Sequence, residues 1–450
     1  MIGSKIEIRD PLYGFIRLQR GEQAILDTAA FQRLRFIHQL GLSYLIYPGA
    51  THRRFEHSLG VMELSTRIFD IITDRSNAIN EASHAVIPED PARFLYWKRV
   101  LRVAALCHDL GHLPFSHAAE DLLPEGWKHE LITRKVIFSD KLQEVWNSME
   151  PPLRPEHIAL LAVGEISVDD QVSAWQGILR EIIQGDVFGA DRMDYLLRDS
   201  LHSGVAYGRF DYDRLVQTLR ILPSPPIPES SVREPTIGIE EGGVHAAEGL
   251  LLARYFMFKQ VYLHRTRRIY DLHLADFVKE WRRDADGYFA TNVDEHLALT
   301  DNELLQAILA AAREKKGCLS VLARRITERS KRFVLMYEPA VDELRQNADA
   351  ARAIAAAAAS EFGGDAVRLD TYTKEDEPFD FPVQEREGDV VSYTGKSQVL
   401  GQVPPLSVNY VFVDANYRDA ARKWLQQNRE CVIKSGAEQE TSSGRSEDAI

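Results

Sequence analysis

Leu106-Cys107-His108-Asp109-Leu110-Gly111-His112-Leu113-Pro114-Phe115-Ser116-His117 sets three histidines and an aspartate against two helix breakers. An apolar run with helical spacing, Val100 to Leu110, leads into it, so His108 and Asp109 emerge at the end of a buried helix that Gly111 and Pro114 stop. An aspartate in such surroundings is costly unless paired or metal-bound. Successive helical residues point about 100° apart, so His108 and Asp109 share one ion only by reaching around it. His112 lies four residues on from His108, on the same face if the last turn persists. That spacing suits one metal ligand plus one group directed at substrate.

Working outward, seven of the 14 histidines lie between His52 and His129. A metal site needs several imidazoles and carboxylates converging on one point, and such clustering supplies them. His84 has no neighbouring ligand type and reads as a surface loop residue. Upstream, Thr51-His52-Arg53-Arg54-Phe55-Glu56-His57-Ser58 places His57 near the start of a helix with two arginines before it. An arginine pair beside a ligand suits a phosphate chain, although a solvated basic turn has the same composition. Downstream, Asp191, Asp194, Tyr195, Arg198 and Asp199 share a polar helical face, while Met193, Leu196 and Leu197 face a core. By itself that is an ordinary amphipathic helix with an i,i+4 pair, Asp194–Arg198.

The 450-residue chain is 45% hydrophobic and 27% charged, enough for a sizeable core. Its net charge of −13 argues against general nucleic-acid binding, but not against a locally positive pocket for a small anion. Three cysteines without a CxxC pair suit a reducing compartment. No signal core and no long apolar run occur, so a cytoplasmic protein without a membrane span is expected.

Ile6 to Leu18 reads as a short hairpin or two extended pieces about the Asp10–Gly14 turn, and helical spacing takes over from Thr28. Leu222–Pro228 reads as an exposed proline-rich loop, and Val244 to His264 as a long buried helix. Strand character is expected only later, at Ala366–Tyr372, Val390–Tyr393 and Leu406–Val413, before a last helix near Tyr417–Gln427. The fold expected is mostly α, a helical catalytic body with a smaller α+β segment at the C-terminal end. Its divisions are a catalytic core over 1–222, a helical continuation over 223–362, an α+β subdomain over 363–434 and a disordered tail over 435–450.

The three clusters together resemble the HD-domain phosphohydrolase superfamily, whose metal ligands follow the order H…HD…D. His57, His108-Asp109 and Asp191 match that order. Phe31–Arg35, Gln39–Gly41, Arg54–Val61, Leu106–His117, Asp191–Asp199 and Tyr262–Thr266 look like the deoxynucleoside triphosphate triphosphohydrolase branch. The resemblance covers residues 6–270 well and the remainder more loosely. It implies an HD helical bundle in which His57, His108, Asp109 and Asp191 hold a divalent cation, whether Mg, Mn, Fe, Ni or Zn. His112, His117 and His129 would line the α-phosphate as acid–base or nucleophilic groups. Arg54, Arg192 and Arg254 would hold phosphates, with Tyr195 and Tyr262 near the nucleoside. Gln39 and Asp199 would contact the 3′-hydroxyl, and Tyr195 would crowd the 2′ position.

The implied reaction converts a dNTP to a deoxynucleoside and inorganic tripolyphosphate. Glu120 stands where the family's acidic partner of the catalytic histidine is often Asp. Asp27, Gln32 and Arg35 match residues that bind an activating guanine nucleotide in some relatives, but Ile6 replaces the lysine those relatives add. A homo-oligomer, dimer or tetramer, is also implied. The alternatives are an HD phosphohydrolase acting on a monophosphate, a cyclic nucleotide or a nucleic-acid end, and a non-catalytic nucleotide-binding HD module.

Overall fold

The computed structural model describes residues 6–77, 80–164, 172–225, 233–283, 288–330, 332–373, 380–397 and 406–443. They fall into two compact units: Met1–Met257 with Trp281–Ala307 and Glu377–Val403, and Phe258–Glu280 with Ile308–Asp376 and Pro404–Ile450. The architecture is mostly helical with small sheets, as the periodicity predicts.

The first unit begins with the expected hairpin, Glu7–Asp10 against Gly14–Arg17, with Ile8 opposite Ile16. The Asp10 carboxylate accepts from the Leu12 and Tyr13 amides at 2.8 and 3.0 Å, closing the turn. The helices Arg54–Ile72, Pro91–Cys107 and Ala190–Ser203 build the body. Each has a local reason to start or stop. Glu56 reaches back to the Arg53 amide at 2.8 Å, Asp90 caps a helix whose first residue is Pro91, and Gly204 ends the third at φ 72°. Leu59, Met62, Ile68, Val100, Leu101 and Leu106 are fully buried. Burying each such side chain contributes roughly 1.5–3 kcal/mol, which fixes the helices that carry the site.

Strands appear earlier than the sequence suggests. Leu219–Pro223 pairs antiparallel with Pro235–Glu240, which pairs parallel with Pro382–Gln384, and Val390–Ser392 completes the sheet. The loop expected over Leu222–Pro228 therefore begins as strand, with Leu222 buried; residues 226–232 lie outside the described residues. Leu219 to Leu222 are buried without alternation, so no period-2 signal marks them. His84 lies exposed on the short helix Glu81–Val86 rather than in a loop.

The expected Val244–His264 helix runs as α-helix only to Met257 and continues as a π-helical turn, Phe258–Tyr262. In the second unit, Ser407–Asp414 is the central strand between Phe333–Tyr337 and Val367–Thr373. Phe333–Tyr337 is thus a strand inside the stretch expected to be helical. The Ala-rich helix Ala350–Phe362 lays Ala351, Ile354 and Ala358 against Val367, Val411 and Val413 and stops at Gly363, φ 93°. The final helix extends from Arg418 to Ser443, into the stretch expected to be disordered from 435; residues 444–450 lie outside the described residues. Its lack of a regular apolar stripe hid it, although Ala421 and Ile433 are buried in the core of this unit. Among the described residues no helix is long and apolar enough to cross a membrane.

Candidate active site

Three helices deliver the candidate ligands. His57 lies in the first turns of Arg54–Ile72, His108 caps the C-terminus of Pro91–Cys107, and Asp191 sits in the first turn of Ala190–Ser203. One ligand atom from each lies within 4.8 Å of the other two. His57 Nε2 is 3.0 Å and His108 Nε2 3.6 Å from Asp191 Oδ1. Both imidazoles are buried, whereas the Asp191 side chain is 37% exposed, leaving one open side.

Hydrogen bonds orient both rings. His108 Nδ1 faces the Ala105 carbonyl at 2.8 Å, and because a carbonyl only accepts, Nδ1 carries a proton and Nε2 is the ring atom turned toward the trio. That Nε2 is buried and has no hydrogen-bond partner. His57 Nδ1 is 2.7 Å from Asp194 Oδ2, which orients its Nε2 in the same way. An orphaned nitrogen, a second oriented nitrogen and a carboxylate on one point are a donor set that fits a divalent cation. Burial lowers the His57 pKa, but Asp191 and Asp194 outweigh it and push it up to about 10, so without a cation a proton answers the carboxylates.

Asp109 adjoins the trio, with Oδ1 3.3 Å from His108 Nε2 and Oδ2 3.7 Å from His57 Nε2. Its oxygens are engaged by Arg54 Nη1 at 2.6 Å and His112 Nε2 at 3.1 Å. Although burial opposes it, Arg54, His108 and His112 hold the Asp109 carboxyl well below the usual range. The His112 ring stacks on His129 with centroids 3.9 Å apart, and His129 Nδ1 lies 2.5 Å from Glu120 Oε1. Burial, Arg54 and the neighbouring His129 keep His112 neutral. Glu120 therefore pairs with His129. His117 lies in the 3-10 turn Ser116–Leu122, and its side chain is outside the described residues.

Arg54 is buried, its Nε donating to Ser116 Oγ at 2.9 Å, so it braces the centre rather than standing open to phosphate. Arg192 differs: its Nη1 is buried without a hydrogen-bond partner, and Asp186 is 3.7 Å from Nη2. Tyr195, one turn on, has its pKa raised mainly by burial, with Arg192, Asp191 and Arg254 close enough to act on its hydroxyl. Arg254 is buried on Val244–Met257. The Gln39 amide N–H donates to the His52 carbonyl at 3.0 Å, its side-chain Oε1 is buried without a partner, and Asp199 Oδ1 is 2.6 Å from His52 Nε2. Tyr262 ends the π-helical turn in the second unit, its ring edge-on to Phe258. Asp27 is exposed at a helix end. Arg35 bonds Gln32 Oε1 at 2.9 Å and lies 3.5 Å over the Phe55 ring.

Asp194 was read from sequence as half of an ordinary helical pair. It is fully buried, bonded to His57 and, through both oxygens at 2.9 Å, to Arg198, whose Nη1 reaches Asp10 Oδ2 at 2.9 Å. A Cβ on Gly60 would fall 2.0 Å from Asp194 Oδ1, so the close helix approach depends on that glycine. The available signal was position: Asp194 lies three residues after Asp191, hence on the same helical face.

A family model described as the HD domain matches residues 54–195, and one described as the HD associated region matches 210–379. The chain is 31% identical over 340 residues to the uncharacterised protein YwfO of Bacillus subtilis, covering 71% of this chain and 70% of that protein. It is 29% identical over 355 residues to the Homo sapiens protein named deoxynucleoside triphosphate triphosphohydrolase SAMHD1, covering 70% of this chain and 52% of that one. A solved structure of a hypothetical protein from Aquifex aeolicus superposes with a TM-score of 0.74 at 32% identity, covering 94% of this chain and all of that one. The chain spans little more than half the length of several curated relatives. With two adjoining regions matched and the candidate histidine–aspartate ligands brought together by the fold, this chain belongs to the HD-domain phosphohydrolase superfamily.

Proposed function

We propose that the chain hydrolyses deoxynucleoside triphosphates to the deoxynucleoside and inorganic tripolyphosphate. The observation that carries this reading is the flanking of the ligand trio: a neutral His112 stacked on the His129–Glu120 pair, and Arg192 with an orphaned donor beside Asp191. A divalent cation held by His57, His108 and Asp191, with Asp109 adjoining, would polarise a phosphoryl oxygen and acidify water. Arg192 and Arg254 hold the phosphate chain by charge-assisted bonds. His112, kept neutral at its buried ring, and His129, fixed at Nδ1 by Glu120, move protons to and from the reacting oxygens. The Gln39 amide and Asp199 take the 3′-hydroxyl, while Tyr195 crowds the 2′ position. The likeness to SAMHD1 supports this substrate class. A cytoplasmic setting, which the three free thiols suit, and assembly into a homo-oligomer belong to the same proposal.

One observation favours a second reading. Arg54, expected on phosphate, is taken up by Asp109 and Ser116, leaving fewer cations for a triphosphate and suiting hydrolysis of a different phosphorylated nucleotide. Incubation of the purified protein with each dNTP and Mg²⁺ or Mn²⁺, with and without guanine nucleotide, separates the two. Tripolyphosphate supports the first reading. Orthophosphate from monophosphates or cyclic nucleotides, with no tripolyphosphate from any dNTP, would replace it by the second.

A further inference from the structure

We infer that Asp301 is a positioning residue that sets the geometry of the metal centre from outside it. Phe115 and Ser116 are consecutive non-glycine residues in left-handed conformation, both at φ 57°, between His112 and His117. Side chains disfavour that region, so something must hold the turn. Asp301, 1% exposed, does so: its Oδ1 accepts from the Phe115 amide at 2.6 Å. Its Oδ2 faces both the backbone amide of His38 at 2.8 Å and the His38 ring Nδ1 at 2.6 Å. One carboxylate therefore ties the Phe115 turn to the His38 segment. Gly41 closes the third side, since a Cβ there would fall 2.8 Å from the Phe115 carbonyl oxygen.

The turn so held aims Ser116. Its hydroxyl donates to the His38 carbonyl at 2.7 Å and accepts from Arg54 Nε at 2.9 Å. Arg54 Nη1 is thereby directed at Asp109 Oδ2, which leaves Oδ1 for His112 Nε2. A parallel strut supports the same loop: Arg33 donates from Nε to the Leu299 carbonyl and from Nη1 to the His112 carbonyl, each at 2.9 Å. The Leu299–Asp301 segment thus grips the catalytic loop at His112 and at Phe115. Asp301 touches no candidate ligand. It acts through Ser116 and Arg54, and the inference rests on the site being a metal centre, not on the dNTP assignment.

The test compares wild type with Asp301→Asn, Ser116→Ala and Ile354→Ala, a fully buried residue in the core of the second unit that controls for general destabilisation. Asn offers an amide where three N–H donors need oxygen, and Ala removes only the relay hydroxyl. Mn²⁺ affinity by EPR titration, folded fraction by circular dichroism, and kcat and KM on the best wild-type substrate are measured together. Asp301→Asn and Ser116→Ala are expected to bind Mn²⁺ about tenfold more weakly while folded, with kcat falling 10- to 100-fold and KM little changed. Ile354→Ala is expected to bind Mn²⁺ as wild type does. Wild-type Mn²⁺ affinity in folded Asp301→Asn, or an equal loss in Ile354→Ala, overturns the inference. Should Asp301→Asn fail to fold, Ser116→Ala decides, and wild-type affinity there overturns it. If no dNTP is cleaved by the wild type, the substrate proposal fails while the Mn²⁺ comparison still decides this one.

Discussion

Replacing Asp194 with alanine should cost both stability and metal affinity. The Asp194 carboxylate is fully buried and answers three donors: His57 Nδ1, Arg198 Nε and Arg198 Nη2. Truncation leaves the equally buried Arg198 guanidinium with Asp10 as its remaining carboxylate contact. Breaking a buried pair by removing one partner costs about 3–5 kcal/mol, because the other charge is stranded. Domains are stable by only about 5–15 kcal/mol, so the loss should be visible in urea titration as a midpoint shift at unchanged slope. His57 would also lose the acceptor that orients its Nε2, weakening metal binding about 10- to 100-fold, readable by Mn²⁺ titration of the folded variant. The double change Asp194→Ala with Arg198→Met removes the stranded guanidinium, leaving Asp10 to the Leu12 and Tyr13 amides, and should recover part of the stability but none of the affinity. An Asp194→Ala protein within about 1 kcal/mol of the parent, with wild-type Mn²⁺ affinity, would refute the reasoning.

Gly60→Ala drives a methyl into the same pair and should cost at least about 1–3 kcal/mol by overpacking, measured by urea denaturation; a neutral effect would contradict the close approach. Arg192→Ala should lower kcat/KM about 10- to 100-fold on the phosphorylated substrate by deleting a charge-assisted bond, with little change in melting temperature. Glu181 anchors its helix to the Thr236 hydroxyl at 2.7 Å and the Ile237 amide at 3.1 Å, and burial raises its pKa to about 7 despite those bonds. The folded state therefore keeps a proton that the unfolded state releases above about pH 4.5, so stability should fall as pH rises from about 4.5 to 7. Glu181→Gln should remove that decline by a margin on the order of 1–3 kcal/mol above pH 7; parallel stability–pH curves for the two proteins would rule it out.

The candidate ligands were legible in the sequence because their signal is local. His57, His108 and Asp191 each sit beside a helix start or stop that composition marks, and their residue types suit one chemistry. Helical dominance was legible for the same reason, since a 3.6-residue period needs no partner. The strands Leu219–Pro223 and Pro235–Glu240 escaped because the sheet is completed by Pro382–Gln384, far along the chain, and a strand buried on both faces shows no alternation. Arg54 was expected on phosphate from the resemblance and its charge, and its engagement by Asp109 and Ser116 became visible only in three dimensions.

Asp194, His38, Ser116 and Asp301 went unread as parts of the site. A polar helical face has the same sequence whether it meets water or another helix. The His38–Asp301 contact spans 263 residues, beyond any local pattern. Sequence alone determined which residues offer cation ligands, because ligand chemistry belongs to residue type. Tertiary structure decided which carboxylates, guanidiniums and hydroxyls orient those atoms, because burial turns a solvated charge into one that must be paired.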